Sequence, residues 1–166
     1  MSTEFAERLT MLTGESCASA PLGEADHDFE LRKAGEVIEV QAVEIVSRDY
    51  LHDLSSPKFL KGHNFRSMEL LPNGKTYGVD KKAEEAILWD RIRQKIEKHY
   101  AKSQSRLWLL VWTVASFMPF WIEDQQARQS TGVDLAQSHL AERGTGPFDE
   151  IWFFKLGLAP HRIWPR

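Results

Sequence analysis

The stretch DFELRKAGEVIEVQAVEI, residues 28–45, decides the fold of this chain. It begins with a short β-forming run, residues 28–32, and a glycine-containing turn follows at residues 33–35. A longer run, residues 36–47, comes next and is dominated by valine and isoleucine, which favour strands. Two β-forming runs separated by a short turn predict a β-hairpin.

An acidic and an amide side chain lie inside the second run, at Glu39 and Gln41. Because side chains alternate between the two faces of a strand, both point to one face. The other residues on that face are apolar: Val37, Val43 and Ile45. Burying a carboxylate there is costly without a partner. Mg²⁺ or Mn²⁺ shared between Glu39 and Asp28 would be such a partner, since hard cations bind carboxylate oxygens. The alternative is a solvent-exposed strand face with polar residues at alternate positions.

The remaining segments predict a single domain of the α/β class, residues 1–166, with a central mixed sheet flanked by helices. Ser2 or Thr3 is a suitable N-cap for the first helix. Residues 14–27 are loop-like, and residues 48–79 form either an insertion or an extra hairpin. Helices are predicted at residues 2–12, 80–103 and 132–143, and further extended segments at residues 106–115, 149–156 and 162–164.

The long helix at residues 80–103 separates the Glu39 strand from the apolar strand at residues 106–115. A helix in this place is typical of a crossover between parallel neighbouring strands. The run RLWLLVWTVA in the second of these strands predicts burial on both faces.

In both motif and element order the chain resembles the PD-(D/E)XK nuclease superfamily, which has the restriction-endonuclease-like fold. The family combines an α-β-β-β-α-β core with an Asp on one strand and Glu-x-Lys on the next. Asp28 corresponds to the first acid and Glu39 to the second. Gln41 stands where the family usually has lysine, and some members carry glutamine there.

The resemblance implies a Mg²⁺- or Mn²⁺-dependent phosphodiester hydrolase, a nuclease for which DNA is favoured as the substrate and RNA stays open. Asp28 and Glu39 would bind the metal, and a glutamate of the first helix, Glu7 or Glu4, would join them. Gln41 would hold a water or a phosphate oxygen, but it brings no positive charge. Lys95 or Lys98 of the long helix is a candidate for the missing cation.

Two other functions remain open on the sequence. Glutamine in the lysine position is compatible with a catalytically silent relative that binds nucleic acid or a protein partner, so enzymatic activity is undecided. A third hypothesis is an α/β adaptor of unrelated fold. Its long apolar strands would form an oligomer interface. Antiparallel pairing of the strands that contain Leu109 and Ile151, together with Asp28 far from Glu39, would favour it.

Composition limits the function classes. The 166 residues carry a net charge of −3, which disfavours a bulk electrostatic grip on nucleic acid, although residues 91–106 are locally basic. The single cysteine excludes an intramolecular disulfide and a cysteine-based zinc site, and we expect a cytoplasmic protein. No apolar run approaches the roughly 20 residues of a membrane span. The resemblance makes a homodimer possible, since many members of the family work as dimers to cut two strands.

Overall fold

The computed structural model describes residues 1–21, 27–45, 81–100, 105–113 and 132–165. These residues form three helices and six strands. The helices are α1 (Ser2–Thr13), α2 (Lys81–Ile96) and α3 (Gly132–Arg143). The strands are β1 (Cys17–Pro21), β2 (Phe29–Lys33), β3 (Glu36–Glu44), β4 (Arg106–Thr113), β5 (Glu150–Lys155) and β6 (His161–Trp164).

The strands form one mixed sheet in the order β1-β2-β3-β4-β5-β6. β1, β2 and β3 pair antiparallel, whereas β3, β4 and β5 pair parallel. β6 pairs antiparallel with β5 and forms one edge. The predicted parallel pairing of β3 with β4 is confirmed. Leu109 of β4 pairs in parallel with Ile151 of β5, so these two strands lack the antiparallel pairing that would favour the adaptor hypothesis.

Helices cover both faces of the sheet, and the predicted α/β class with a helix-flanked mixed sheet is confirmed. Alternation along β4 sends Leu107, Leu109 and Val111 towards α2 and α3, and sends Trp108 and Leu110 towards α1. β4 is therefore buried on both faces, as its apolar sequence predicts. The same alternation puts Glu39 and Gln41 on the face covered by α2 and α3.

The first helix is where the sequence predicts it, but its cap is different. Met1 is the N-cap residue and makes no side-chain cap bond, so the predicted capping by Ser2 or Thr3 is wrong. At its other end α1 organises the next strand, because the Cys17 N–H donates to Thr10 Oγ1 at 2.9 Å.

The loop predicted at residues 14–27 contains strand β1, which is a correction to the sequence prediction. The sequence CASAP has weak strand preference, and the strand forms through pairing with β2. Residues 48–79, predicted as an insertion or an extra hairpin, lie outside the described residues.

The β2–β3 hairpin is closed by Ala34 and Gly35, between the paired residues Lys33 and Glu36. Ala34 has a φ of 50° and Gly35 a φ of 85°. Two central residues with positive φ define the type I′ connection that matches the twist of paired strands. The two-residue turn fixes the hairpin register, and continuing that register brings Asp28 opposite Gln41.

We expect Ala34→Asn to raise the free energy of unfolding by about 0.5–1 kcal/mol, because asparagine adopts positive φ more readily than alanine. Asn-Gly is also the preferred pair for this turn. Urea unfolding measures the change. Ala18→Asn, at an exposed position of β1, is the matched control and should give no gain. An Ala34→Asn protein no more stable than wild type would contradict the turn assignment.

Candidate functional site

Asp28 lies just before β2 and is bonded to β3 through both its backbone and its side chain. Its backbone N–H donates to the Val40 carbonyl at 3.0 Å. Its carboxylate oxygen Oδ2 accepts hydrogen bonds from the Gln41 side-chain amide and from the Ala42 N–H, the latter at 2.6 Å. β3 continues beyond the start of β2, so the Asp28 carboxylate satisfies an amide of β3 that β2 does not reach.

Gln41 is the polar residue at the centre of this arrangement and is only 8% exposed. Its amide nitrogen donates to Asp28, which provides the partner that a buried amide requires. The structure therefore brings together Asp28 and Gln41, two of the predicted site residues. The Gln41 amide is therefore engaged with the neighbouring carboxylate.

Glu39 has a histidine as its partner. His27 Nε2 lies 2.5 Å from Glu39 Oε2, and the side chains are 8% and 19% exposed respectively. Both candidate acids are thus in contact with residues across the hairpin. Asp28 contacts Gln41, and Glu39 contacts His27.

A bend at His27 and Asp28 explains how two consecutive residues serve one site. In a regular strand their side chains would point to opposite faces. The bend interrupts that alternation, so His27 reaches Glu39 while Asp28 reaches Gln41.

Two further polar groups near Asp28 are Lys95, in the last turn of α2, and Tyr100, four residues after the helix ends. Burial lowers the pKa of the Lys95 ammonium; the Asp28 carboxylate opposes this shift and Lys98 adds to it. Burial also raises the pKa of the Tyr100 hydroxyl, and the Asp28 carboxylate raises it further. Within the described part of the chain the Tyr100 hydroxyl oxygen is buried without a hydrogen-bond partner. The Tyr100 ring meets Phe148 edge-on, with centroids 5.3 Å apart.

Two other glutamates have different positions. Glu30 pairs directly with Glu39 across the hairpin, so the two side chains share a face. Glu7 is exposed on α1, whose buried residues Phe5 and Leu9 pack on the opposite face of the sheet. The structure does not bring Glu7 to Asp28 and Glu39, because alternation along β3 directs Glu39 away from α1.

The basic surface of α2 is largely engaged in pairing within the helix. Arg93 lies 3.6 Å from Asp90 and 3.7 Å from Glu97, and Arg91 donates to Gln94 at 3.3 Å. Exposed pairs at such spacing are typical of a solvated helix surface. They give no specific sign of phosphate contacts.

The donor set suits a hard divalent cation held by few protein ligands. Asp28 and Glu39 offer carboxylate oxygens, and the hydrogen bonds from Gln41 and Ala42 to Asp28 both use Oδ2. Across the described residues no group of three or more His, Cys, Asp or Glu side chains could hold a metal ion. Mg²⁺ is often bound by one or two carboxylates, with waters and substrate phosphate completing the shell. Two carboxylates fit that pattern, whereas a closed all-protein site does not.

Comparisons with protein-family models, with curated proteins and with solved structures find no match to this chain. No helix among the residues that the structure describes is both long and apolar enough to cross a bilayer. The candidate site therefore depends on its own geometry.

Three residues near the site were outside the sequence-predicted set. Glu30 follows from the hairpin register, which the two-residue turn fixes. His27 is adjacent to Asp28, but strand alternation would direct it to the other face. Tyr100 follows the α2 stripe of Trp89, Ile92 and Ile96, a pattern that predicts packing and not a polar role.

Proposed function

We propose that this chain is a divalent-metal-dependent phosphodiester hydrolase, a nuclease acting on DNA. The observation that carries the proposal is the contact between Asp28 and Gln41 on the sheet face that also carries Glu39. In the sequence resemblance, these residues correspond to the two acidic positions and the lysine position of the PD-(D/E)XK motif. A two-residue hairpin turn at Ala34 and Gly35 brings them together.

The order of elements supports a restriction-endonuclease-like core. The described elements from α1 to β4 follow the sequence α-β-β-β-α-β. The first three strands pair antiparallel, and the α2 crossover makes β3 and β4 parallel. That combination is what the sequence resemblance implies for the fold family.

The proposed chemistry divides between the cation and the chain. A bound Mg²⁺ or Mn²⁺ would lower the pKa of a bound water and stabilise charge at phosphorus and on the leaving oxygen. Asp28 and Glu39 would hold it. The Gln41 side-chain amide and the Ala42 N–H both donate hydrogen bonds to the same Asp28 oxygen, Oδ2. Both contacts restrict the rotamers of Asp28 before any ligand binds.

Lys95 is the residue that supplies the positive charge missing from position 41. It lies near the end of α2, partly buried and within electrostatic reach of Asp28. An ammonium at this point stabilises negative charge that develops on phosphate oxygens. Lys98 is exposed and is the weaker of the two candidates.

A plasmid-nicking assay tests the proposal. Wild-type protein with Mg²⁺ or Mn²⁺ should convert supercoiled DNA to the nicked form, and chelation with EDTA should stop the reaction. Glu39→Ala, purified in the same way, should leave the plasmid intact. Equal cleavage by both proteins would indicate a contaminating nuclease and would remove the proposed site.

We expect Lys95→Met to lower the cleavage rate by about 100-fold, the usual effect of removing one electrostatic stabiliser of the transition state. Methionine keeps the length and apolar stem of the side chain, so the fold should persist. Lys98→Met is the matched control and should cut within about twofold of wild type. A Lys95→Met protein as active as this control would contradict the role of Lys95.

The second candidate function is a catalytically silent protein of the same fold that binds nucleic acid or a protein partner. The observation in its favour is that the Gln41 amide nitrogen, at the position compared with the motif lysine, donates to Asp28. A silent protein would never nick the plasmid, whichever metal is supplied, although a gel shift could still detect binding.

DNA is the substrate most consistent with the motif, and cutting both strands favours a homodimer. The composition, with one cysteine among 166 residues, supports a cytoplasmic location. Sedimentation with and without a short duplex would measure the assembly.

A further inference from the structure

The contact between His27 and Glu39 is the best-defined polar contact of the site that the proposed chemistry does not yet use. The His27 imidazole is 92% buried, since only 8% of its side chain is exposed, and its Nε2 lies 2.5 Å from Glu39 Oε2. His27 immediately precedes Asp28. One dipeptide thus contacts β3 twice, through Glu39 and through Gln41.

We propose that His27 is a positioning residue, whose Nε2–H holds the Glu39 carboxylate in the orientation that binds the divalent cation together with Asp28. The inference rests on the proposed function, since Glu39 is a metal ligand only within it. It adds a residue that the motif does not contain.

The proposal fixes the imidazole tautomer. A carboxylate only accepts hydrogen bonds, so donation to Glu39 requires the proton on His27 Nε2. His27 Nδ1 is buried and has no hydrogen-bond partner among the described residues.

Restricting Glu39 matters because a glutamate has three rotatable side-chain bonds and loses their freedom when it binds a metal. A hydrogen bond that selects one arrangement in advance removes part of that cost. Partners that orient metal ligands in this way typically contribute 10- to 100-fold to metal affinity. Asp28 receives the equivalent support from Gln41 and Ala42.

The first test asks directly whether this hydrogen bond forms, and it needs no metal. Long-range ¹H–¹⁵N NMR of the histidine rings should show His27 as the Nε2–H tautomer, with a proton signal protected from exchange with water. The signal should disappear in Glu39→Ala. A His27 ring protonated on Nδ1 would overturn the inference.

The second test measures Mn²⁺ affinity by electron paramagnetic resonance, with Mn²⁺ alone as the probe. His27→Ala should bind Mn²⁺ 10- to 100-fold more weakly than wild type. His27→Gln, whose amide can still donate to Glu39, should recover most of that loss. His99→Ala, at an exposed histidine of the described chain, is the control and should bind normally.

The outcomes separate the two proposals. If wild type binds Mn²⁺ and Glu39→Ala does not, yet His27→Ala binds as tightly as wild type, the role of His27 is wrong and the proposed metal site stands. If His27→Gln is as weak as His27→Ala while both melt at a lower temperature, the histidine is only structural and the inference fails. If wild type itself does not bind Mn²⁺, both proposals fail.

Discussion

Asp28→Asn should reduce metal-dependent DNA cleavage by about 1,000-fold or more while the protein stays folded. Metal-ion stabilisation of the transition state amounts to several kcal/mol, and each 1.36 kcal/mol corresponds to a tenfold change in rate. Asparagine keeps one side-chain oxygen that can accept the hydrogen bonds from Gln41 and the Ala42 N–H. Only the negative charge is removed, so lost cleavage would report on the charge and not on the hairpin.

Two control variants complete this experiment. Asp28→Ala removes the acceptor as well, so it should lose cleavage and also some thermal stability, since a buried amide on Gln41 is left unpaired. Glu36→Gln neutralises an acid of β3 that is exposed at the turn end of the strand and lies 3.4 Å from Arg106. It should cut normally. Cleavage by Asp28→Asn at the rate of Glu36→Gln would contradict the assignment of Asp28.

Gly146→Ala should lower the free energy of unfolding more than any other single-methyl change considered for this chain. Gly146 has a φ of 62°, and a Cβ there would lie 2.9 Å from Ile96 Cγ2 and 3.2 Å from the Ile96 carbonyl oxygen. The backbone strain costs about 1–2 kcal/mol. Overpacking against Ile96 costs about another 1–3 kcal/mol.

The matched control is Gly144→Ala, where φ is 80° and an added Cβ meets nothing within 4 Å. Gly144→Ala introduces the backbone strain of positive φ but no steric clash. The difference between the unfolding free energies of the two variants, measured with denaturant, therefore isolates the contact with Ile96. Because Ile96 follows Lys95 at the end of α2, Gly146→Ala should also impair cleavage. Equal destabilisation by both variants would show that Ile96 moves away from the added methyl group at little cost, and would contradict the expected clash.

Periodicity and hydrophobic runs were sufficient for most of the fold. The hydrophobic runs predicted strands β3 and β4, and the long helix between them predicted a parallel pair, which the structure has. Strand β1 could not be predicted in this way. Its residues have weak strand preference, and only pairing with β2 and the hydrogen bond to Thr10 specify it.

The site was predictable to the extent that it follows strand register. The short turn at Ala34 and Gly35 sets the pairing that brings Asp28 opposite Gln41. Glu7 was assigned from the family pattern, and sequence alone gives no information on which face of the sheet α1 covers. His27 was missed as a partner of Glu39 because a bend cancels the alternation on which the prediction relied.

The measurement that tests the central claim most directly is anomalous diffraction from crystals soaked in Mn²⁺. The account predicts an anomalous peak between the Asp28 and Glu39 side chains, about 2 Å from a carboxylate oxygen of each. The peak should vanish in crystals of Glu39→Ala. Well-ordered Asp28 and Glu39 side chains with no peak between them, at a Mn²⁺ concentration that supports cleavage, would contradict it.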